Sequence, residues 1–263
     1  MKRKNRFSDY QQVKQSWHRL IPFAASIVVY SVLVQFTKSG LWWTAVCKCA
    51  PIVSLQLYVL FFGFQHIKLN TYPRKILLGL FFSCIGDALL DFDLFEFGVG
   101  GFLLAQLCYI WAFGWQPFMW WIGVLLYVCA AALTGVLLKH LDQISLYGLP
   151  IYALALSTMS WRALARIRKI DERSLLLTRI LCGIGSVLFV ISDSIIAFNK
   201  FYVTIPNSGY YIMITYYIAQ LGITLSTLPS PGQDAKMLIC DAQPPENTES
   251  DGRFVAKSSR LTD

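Results

Sequence analysis

Charged side chains are scarce in this chain. Asp, Glu, Lys and Arg supply 14% of its 263 residues, against roughly 25% in an average soluble domain, which argues against a water-soluble fold. Histidine is scarcer still: His18, His66 and His140 lie at the edges of apolar stretches or in loops, and no two have the spacing of metal ligands. There is no Gly-x-Ser-x-Gly elbow, no phosphate-binding loop and no Cys/His nucleophile arrangement, which disfavours a serine hydrolase and a zinc membrane protease. The seven cysteines fall mostly inside apolar stretches. Cys47 and Cys49 are separated by one residue rather than the two of zinc and redox motifs, so packing is their expected role. Alternation at period two, which a membrane barrel requires, is also missing.

What remains is apolar. Hydrophobic residues make up 56% of the chain and aromatics 15%. Eight stretches approach the length needed to cross a hydrocarbon core of about 30 Å: 20–36, 41–64, 75–92, 97–114, 118–138, 146–165, 175–198 and 208–228. Backbone groups in lipid must be satisfied within their own segment, so these are expected to be helices in an all-α integral membrane protein with eight spans. The first stretch has no small-residue cleavage site and reads as a retained helix rather than a signal peptide. Trp42, Trp43, Trp111, Trp115, Trp120 and Trp121 sit near span ends, as interfacial aromatics do. Trp161 and Arg162 have the same anchoring character.

The net charge of +8 follows the membrane, not a nucleic acid. Basic residues collect in the N-terminal arm (Lys2, Arg3, Lys4, Arg6, Lys14, Arg19), the second loop (Lys68, Arg74, Lys75) and the sixth (Arg162, Arg166, Arg168, Lys169, Arg173). The opposite side holds mainly Lys38, Lys139 and Lys200, with the acidic turn of Asp91, Asp93 and Glu96. The positive-inside rule therefore places both termini in the cytosol. Residues 1–19 read as a basic cytosolic arm, and 229–263, which open on Pro-Ser-Pro-Gly, as a disordered cytosolic tail.

Two of the apolar stretches carry an aspartate in matched surroundings. Ile85-Gly86-Asp87-Ala88-Leu89-Leu90-Asp91-Phe92 and Ile191-Ser192-Asp193-Ser194-Ile195-Ile196-Ala197-Phe198 share one pattern. Inserting a carboxylate at the centre of a membrane helix costs about 2.5–3.5 kcal/mol on translocon scales, so such a residue marks a functional site unless it only bonds neighbouring helices together. The match extends along the chain in order. Pro22-Phe23 pairs with Pro117-Phe118, Pro51-Ile52 with Pro150-Ile151, and Ala105-Gln106-Leu107 with Ala219-Gln220-Leu221. This order predicts a duplicated four-helix unit, with halves 20–114 and 115–228. Four is an even number of spans, so the halves insert the same way round and are related by an axis along the membrane normal. Asp87 and Asp193 then sit at similar depth. Two carboxyls sharing an apolar site tend to hold one proton between them, which provides an acid and a base together.

Polar residues gather on the same helices. Gln106 and Tyr109 share a face of the fourth span, Tyr216 and Gln220 a face of the eighth, and Asn199 and Lys200 close the seventh just beyond Asp193. Interhelical hydrogen bonding is the ordinary role of a Gln or Tyr in such a helix. Their company with the aspartates makes all six candidate substrate contacts.

Gly86-Asp87-Ala88-Leu89-Leu90 resembles the Gly-Asp-x-Leu-Leu element of the YhhN-type lysoplasmalogenase family of eight-span membrane proteins. Four further segments are similar to animal members: Ala112-Phe113-Gly114-Trp115-Gln116-Pro117, Trp161-Arg162-Ala163, Ile191-Ser192-Asp193 with Ala197-Phe198-Asn199-Lys200-Phe201, and Tyr216-Tyr217-Ile218-Ala219-Gln220. The resemblance implies hydrolysis of the sn-1 vinyl ether bond of a lysoplasmalogen, a lysophospholipid, to a fatty aldehyde and a glycerophospho-base. It also implies residence in the endoplasmic reticulum or another endomembrane. Asp87 and Asp193 would be the catalytic acid and base, in an order the sequence leaves open, and the chemistry calls for no metal or organic cofactor. One position departs from the family: Gln106 stands where members carry the His of His-x-x-Tyr, and a carboxamide hydrogen-bonds but does not shuttle a proton. A proton-coupled lipid or solute carrier, or a non-catalytic relative, are the alternatives for the same residues.

Overall fold

A computed structural model describes residues 17–33, 41–69, 71–168 and 176–228. Nearly all of the basic arm, the tail 229–263, and Lys169 and Arg173 of the sixth loop lie outside these residues. Among the described residues there are eight α-helices and no strand: α1 (Ile21–Leu33), α2 (Trp42–Leu69), α3 (Thr71–Asp91), α4 (Phe95–Phe113), α5 (Trp120–Leu137), α6 (Gln143–Ala165), α7 (Leu176–Phe201) and α8 (Ser208–Leu225). The eight apolar stretches correspond to these one for one.

The ends differ where polar residues continue a helix that hydropathy alone would stop. Thus α3 starts at Thr71 and includes Arg74 and Lys75. Helix α6 starts at Gln143 because the Asp142 side chain caps it, accepting a hydrogen bond from the Ser145 backbone N–H at 3.4 Å. Pro51 lies inside α2 and Pro150 inside α6, the two positions that the matched halves pair.

Among the described residues four segments are long and apolar enough to cross a membrane: Trp42–Phe61, Phe95–Phe113, Trp120–His140 and Leu176–Phe201. Helices α3, α6 and α8 have the length but are less uniformly apolar. The reason is visible in their buried faces, which carry Ser83, Asp87 and Asp91 on α3, Ser157, Ser160 and Arg162 on α6, and Gln220 and Thr224 on α8. These helices turn polar groups towards one another, whereas α5 exposes Val124, Leu125, Val128, Leu133 and Val136.

Packing is heaviest between α3 and α4 and between α7 and α8. Both crossings are made at glycine. A Cβ on Gly101 of α4 would sit 3.0 Å from the Gly86 nitrogen of α3; one on Gly222 of α8 would sit 2.5 Å from the Leu181 carbonyl oxygen of α7. Small residues let the backbones approach, as helix pairs in lipid require. Between the halves, α4 packs on α6 and α8 packs on α2.

A buried guanidinium ties one loop to this frame. Arg162, fully buried on α6, donates to the carbonyls of Gly114 (2.6 Å) and Pro117 (3.0 Å), and Trp161 Nε1 donates to the Met119 carbonyl at 2.6 Å. The pair read as an interfacial anchor therefore holds the connection between α4 and α5 from inside.

Candidate functional site

Six helix ends meet around a cavity of about 370 Å³. The C-terminal ends of α1, α3 and α7 and the N-terminal ends of α2, α4 and α8 contribute its walls, among them Tyr30, Thr44, Lys48, Phe102 and Met213. Asp87 and Asp193 both line it, as do Asn199, Lys200 and Tyr216. Two aspartates 106 positions apart in the chain (193 − 87) thus share one space, within electrostatic reach of each other.

Each carboxyl is held by a tyrosine from another helix. Asp87, 2% exposed, accepts a hydrogen bond from the Tyr216 hydroxyl of α8 at 2.6 Å. Asp193 is half-buried and accepts one from the Tyr152 hydroxyl of α6. Tyr216 is set in place by Phe102 and Phe189, whose rings meet it and one another edge to face at 5.5–6.2 Å.

Other charged groups complete the walls. The Lys48 ammonium of α2 is within electrostatic reach of Asp87. Asp91, at the end of α3, is buried and accepts a hydrogen bond from the Thr44 hydroxyl of α2 at 2.6 Å. Lys200 Nζ lies 5.1 Å from the centroid of the Phe95 ring, and Asp93 stands in the turn between α3 and α4 with φ at 58°. Two ammonium groups and four carboxyls thus border the same space. Among the described residues no three His, Cys, Asp or Glu side chains gather as a metal site needs.

The structure divides the six expected substrate contacts. Asn199, Lys200 and Tyr216 reach the cavity. The Asn199 carboxamide is partly committed to its own loop, accepting from the Ile205 backbone N–H at 2.9 Å. Gln106, Tyr109 and Gln220 do not line the cavity. Instead the Tyr109 hydroxyl donates to Gln220 Oε1 (2.8 Å) and Gln220 Nε2 donates to Ser83 Oγ (3.0 Å), a closed buried group joining α3, α4 and α8. Helical spacing put these residues on the inward face correctly. It could not say that the inward face continues below the cavity floor.

Gln106 is fully buried near the Tyr152 hydroxyl, but neither of its side-chain polar atoms is in hydrogen-bonding geometry with a described residue. Leaving a buried amide unsatisfied costs about 1–3 kcal/mol. Gln106→Leu, similar in size and without those atoms, is therefore expected to raise the midpoint of thermal unfolding in detergent; an unchanged or lower midpoint would contradict the burial argument.

Residues that the sequence reading passed over are Lys48, Thr44 and Tyr152. A signal existed for the first, because Lys48 is the only charged residue in the stretch 41–64 and the cost that singles out an intramembrane Asp applies equally to Lys. Nothing in the sequence distinguished Tyr152 or Thr44 from their neighbours.

Comparison with known proteins agrees with the residues that carried the resemblance. The model of the YhhN family matches residues 43–227. Lysoplasmalogenase TMEM86A of Bos taurus is 33% identical over 86% of this chain and 95% of its own length. The TMEM86A lysoplasmalogenase of Homo sapiens is 34% identical over 83% and 92%. Lysoplasmalogenase TMEM86B of Sus scrofa is 36% identical over 87% and 94%. No solved structure matches the chain. On the extent of the family match and the identity to these relatives, the chain belongs to the YhhN family.

Proposed function

We propose that this protein is a lysoplasmalogenase, an ether hydrolase of the membrane that cleaves the sn-1 vinyl ether bond of a lysoplasmalogen to a fatty aldehyde and a glycerophospho-base. The observation that carries the reading is the single cavity lined by Asp87 and Asp193, each bonded to a tyrosine hydroxyl. Relatives named lysoplasmalogenases at 33–36% identity support it.

A vinyl ether is cleaved when a proton adds to its β-carbon. The resulting oxocarbenium ion is captured by water, and the hemiacetal collapses to aldehyde and alcohol. The reaction needs one carboxylic acid and one carboxylate, and rate-limiting proton transfer to carbon rewards an acid fixed at the right atom. Tyr152 and Tyr216 fix the two carboxyls by hydrogen bonds. The cation that develops is stabilised by the ionised partner, as in glycoside cleavage by a carboxyl pair.

Lys48 and Lys200 provide the positive charge that a substrate phosphodiester needs, and Asn199 and Tyr216 border the same space. Tyr109 and Gln220 act from behind with Ser83, holding α3, α4 and α8 in register. All eight helices cross the bilayer in this reading, with both termini cytosolic, so that the cavity opens towards the opposite face. The halves 20–114 and 115–228 are parallel repeats, supported by the reciprocal packing of α4 on α6 and α8 on α2.

The test is direct. Purified protein in detergent is incubated with a 1-alkenyl lysophosphatidylcholine or lysophosphatidylethanolamine, and aldehyde is followed by its reduction with an NADH-dependent alcohol dehydrogenase. Release above a protein-free control is expected. None with either headgroup would overturn the assignment.

A further inference from the structure

Beside the polar cavity runs a second depression of different character. It lies between α5, α6 and α7, and its walls include Leu126, Ala130, Leu133, Ala153, Leu156 and Val190. Leu133 is 39% exposed and Cys129 is exposed, so the groove opens on the outer face of α5, where the surrounding residues are aliphatic. Among the described residues Asp193 alone lines both spaces. Its carboxyl, bonded to Tyr152 on the groove side, stands at the junction of a polar chamber and an apolar slot. Asp87 lines only the chamber, close to Lys48.

We infer that the groove between α5, α6 and α7 is the binding site of the substrate's alkenyl chain, with Asp193 at its mouth as the proton donor to the β-carbon and Asp87 as the base for water. The inference rests on the lysoplasmalogenase reading and deepens it. The substrate has the same two-part chemistry as the site: a zwitterionic headgroup and glycerol on one side of the ether oxygen, and a hydrocarbon chain on the other. The β-carbon is the atom from which the chain continues, so with the chain in the groove it lies at the mouth. Water and the ether oxygen lie on the chamber side, where Asp87 is.

The proton balance closes. Asp193 gives its proton to the β-carbon, the π pair forms the new C–H bond, and positive charge develops at C1 and the ether oxygen. Water attacks C1 and loses a proton to Asp87. In the collapse, Asp87 returns that proton to the departing glycerol oxygen and Asp193 takes the hemiacetal hydroxyl proton. The C1–O bond to glycerol breaks, and both carboxyls end as they began.

Filling the groove should therefore change chain-length preference. Ala153→Phe and Ala130→Phe are compared with the parent on 1-alkenyl lysophospholipids with chains of six and sixteen carbons, and Val128→Phe, 62% exposed on α5 outside the groove, is the control. The ratio of kcat/KM for the long chain to that for the short one is expected to fall about tenfold or more in the two groove variants, since hydrophobic pockets discriminate by about that factor per methylene or two. It is expected to hold in the control.

A second measurement uses the unaltered protein. A 1-alkyl lysophospholipid, whose saturated ether bond is not a substrate, carries a diazirine at the chain end and is photolysed in detergent. Adducts are expected on peptides spanning 126–137 and 149–157. Adducts confined to α1, α2 or α8, or an unchanged ratio in both variants, would overturn the groove assignment. Adducts in the groove from a parent that releases no aldehyde would instead overturn the reaction and leave the groove as a lipid-chain site.

Discussion

Asp87→Asn and Asp193→Asn are each expected to cut aldehyde release by about 10²–10⁴-fold, the range for removing a positioned general acid or base. Asparagine keeps the shape of the side chain and an oxygen that can accept from the same tyrosine, Tyr216 for position 87 and Tyr152 for position 193. What it loses is the ability to give or take a proton. The helical fold should survive, because neither carboxyl makes a bond that an amide oxygen cannot replace. Circular dichroism and elution volume in detergent check this alongside the rate.

The double variant should be little worse than the poorer single one. Groups that act as a unit in one proton circuit lose most of their effect when either is removed. Rates that persist within threefold of the parent in both single variants would remove the two carboxyls from the mechanism.

Gly222→Val should lose both stability and activity. The new Cβ would lie 2.5 Å from the Leu181 carbonyl oxygen and 3.2 Å from the Gly185 Cα. Both neighbours are backbone, so no side-chain rotation can relieve the overlap. Helices α7 and α8 would have to separate, and these carry Asp193 and Tyr216 respectively. Overpacking of this kind costs about 1–3 kcal/mol or more. A fall of several degrees in the unfolding midpoint, with loss of aldehyde release, is expected.

Gly135→Ala on α5 supplies the contrast. Apart from its own chain neighbours and the backbone of its own helix turn, no heavy atom lies within 4 Å of the position its Cβ would take. There the higher helix propensity of alanine should stabilise slightly, by about 0.5–1 kcal/mol. Equal effects at the two glycines would refute the packing argument.

Much of this was legible before any coordinates. The apolar stretches foretold the helices because a helix in lipid must be uniformly apolar on its outer side and long enough to cross. Where the ends moved, as at Thr71 and Gln143, the cause was a polar residue or a cap that hydropathy does not weigh. The aspartates stood out for an energetic reason: a carboxylate placed among such residues is costly enough to need one. Lys48 met the same criterion, and the +8 charge pattern drew attention to loops instead.

The sequence by itself determined the helical class and the family and singled out the two aspartates as candidates, since each depends on local composition or on residues read in order. Only the tertiary structure decided which polar side chains meet. A period of 3.6 assigns a residue to a face but says nothing of depth or of the helix opposite, so Gln106, Tyr109 and Gln220 looked equivalent to Asn199 and Tyr216 until packing put them below the cavity. Packing alone also joined Tyr152 of α6 to Asp193 of α7 and set an apolar groove against that carboxyl, because contacts between helices distant in the chain depend on how their surfaces fit.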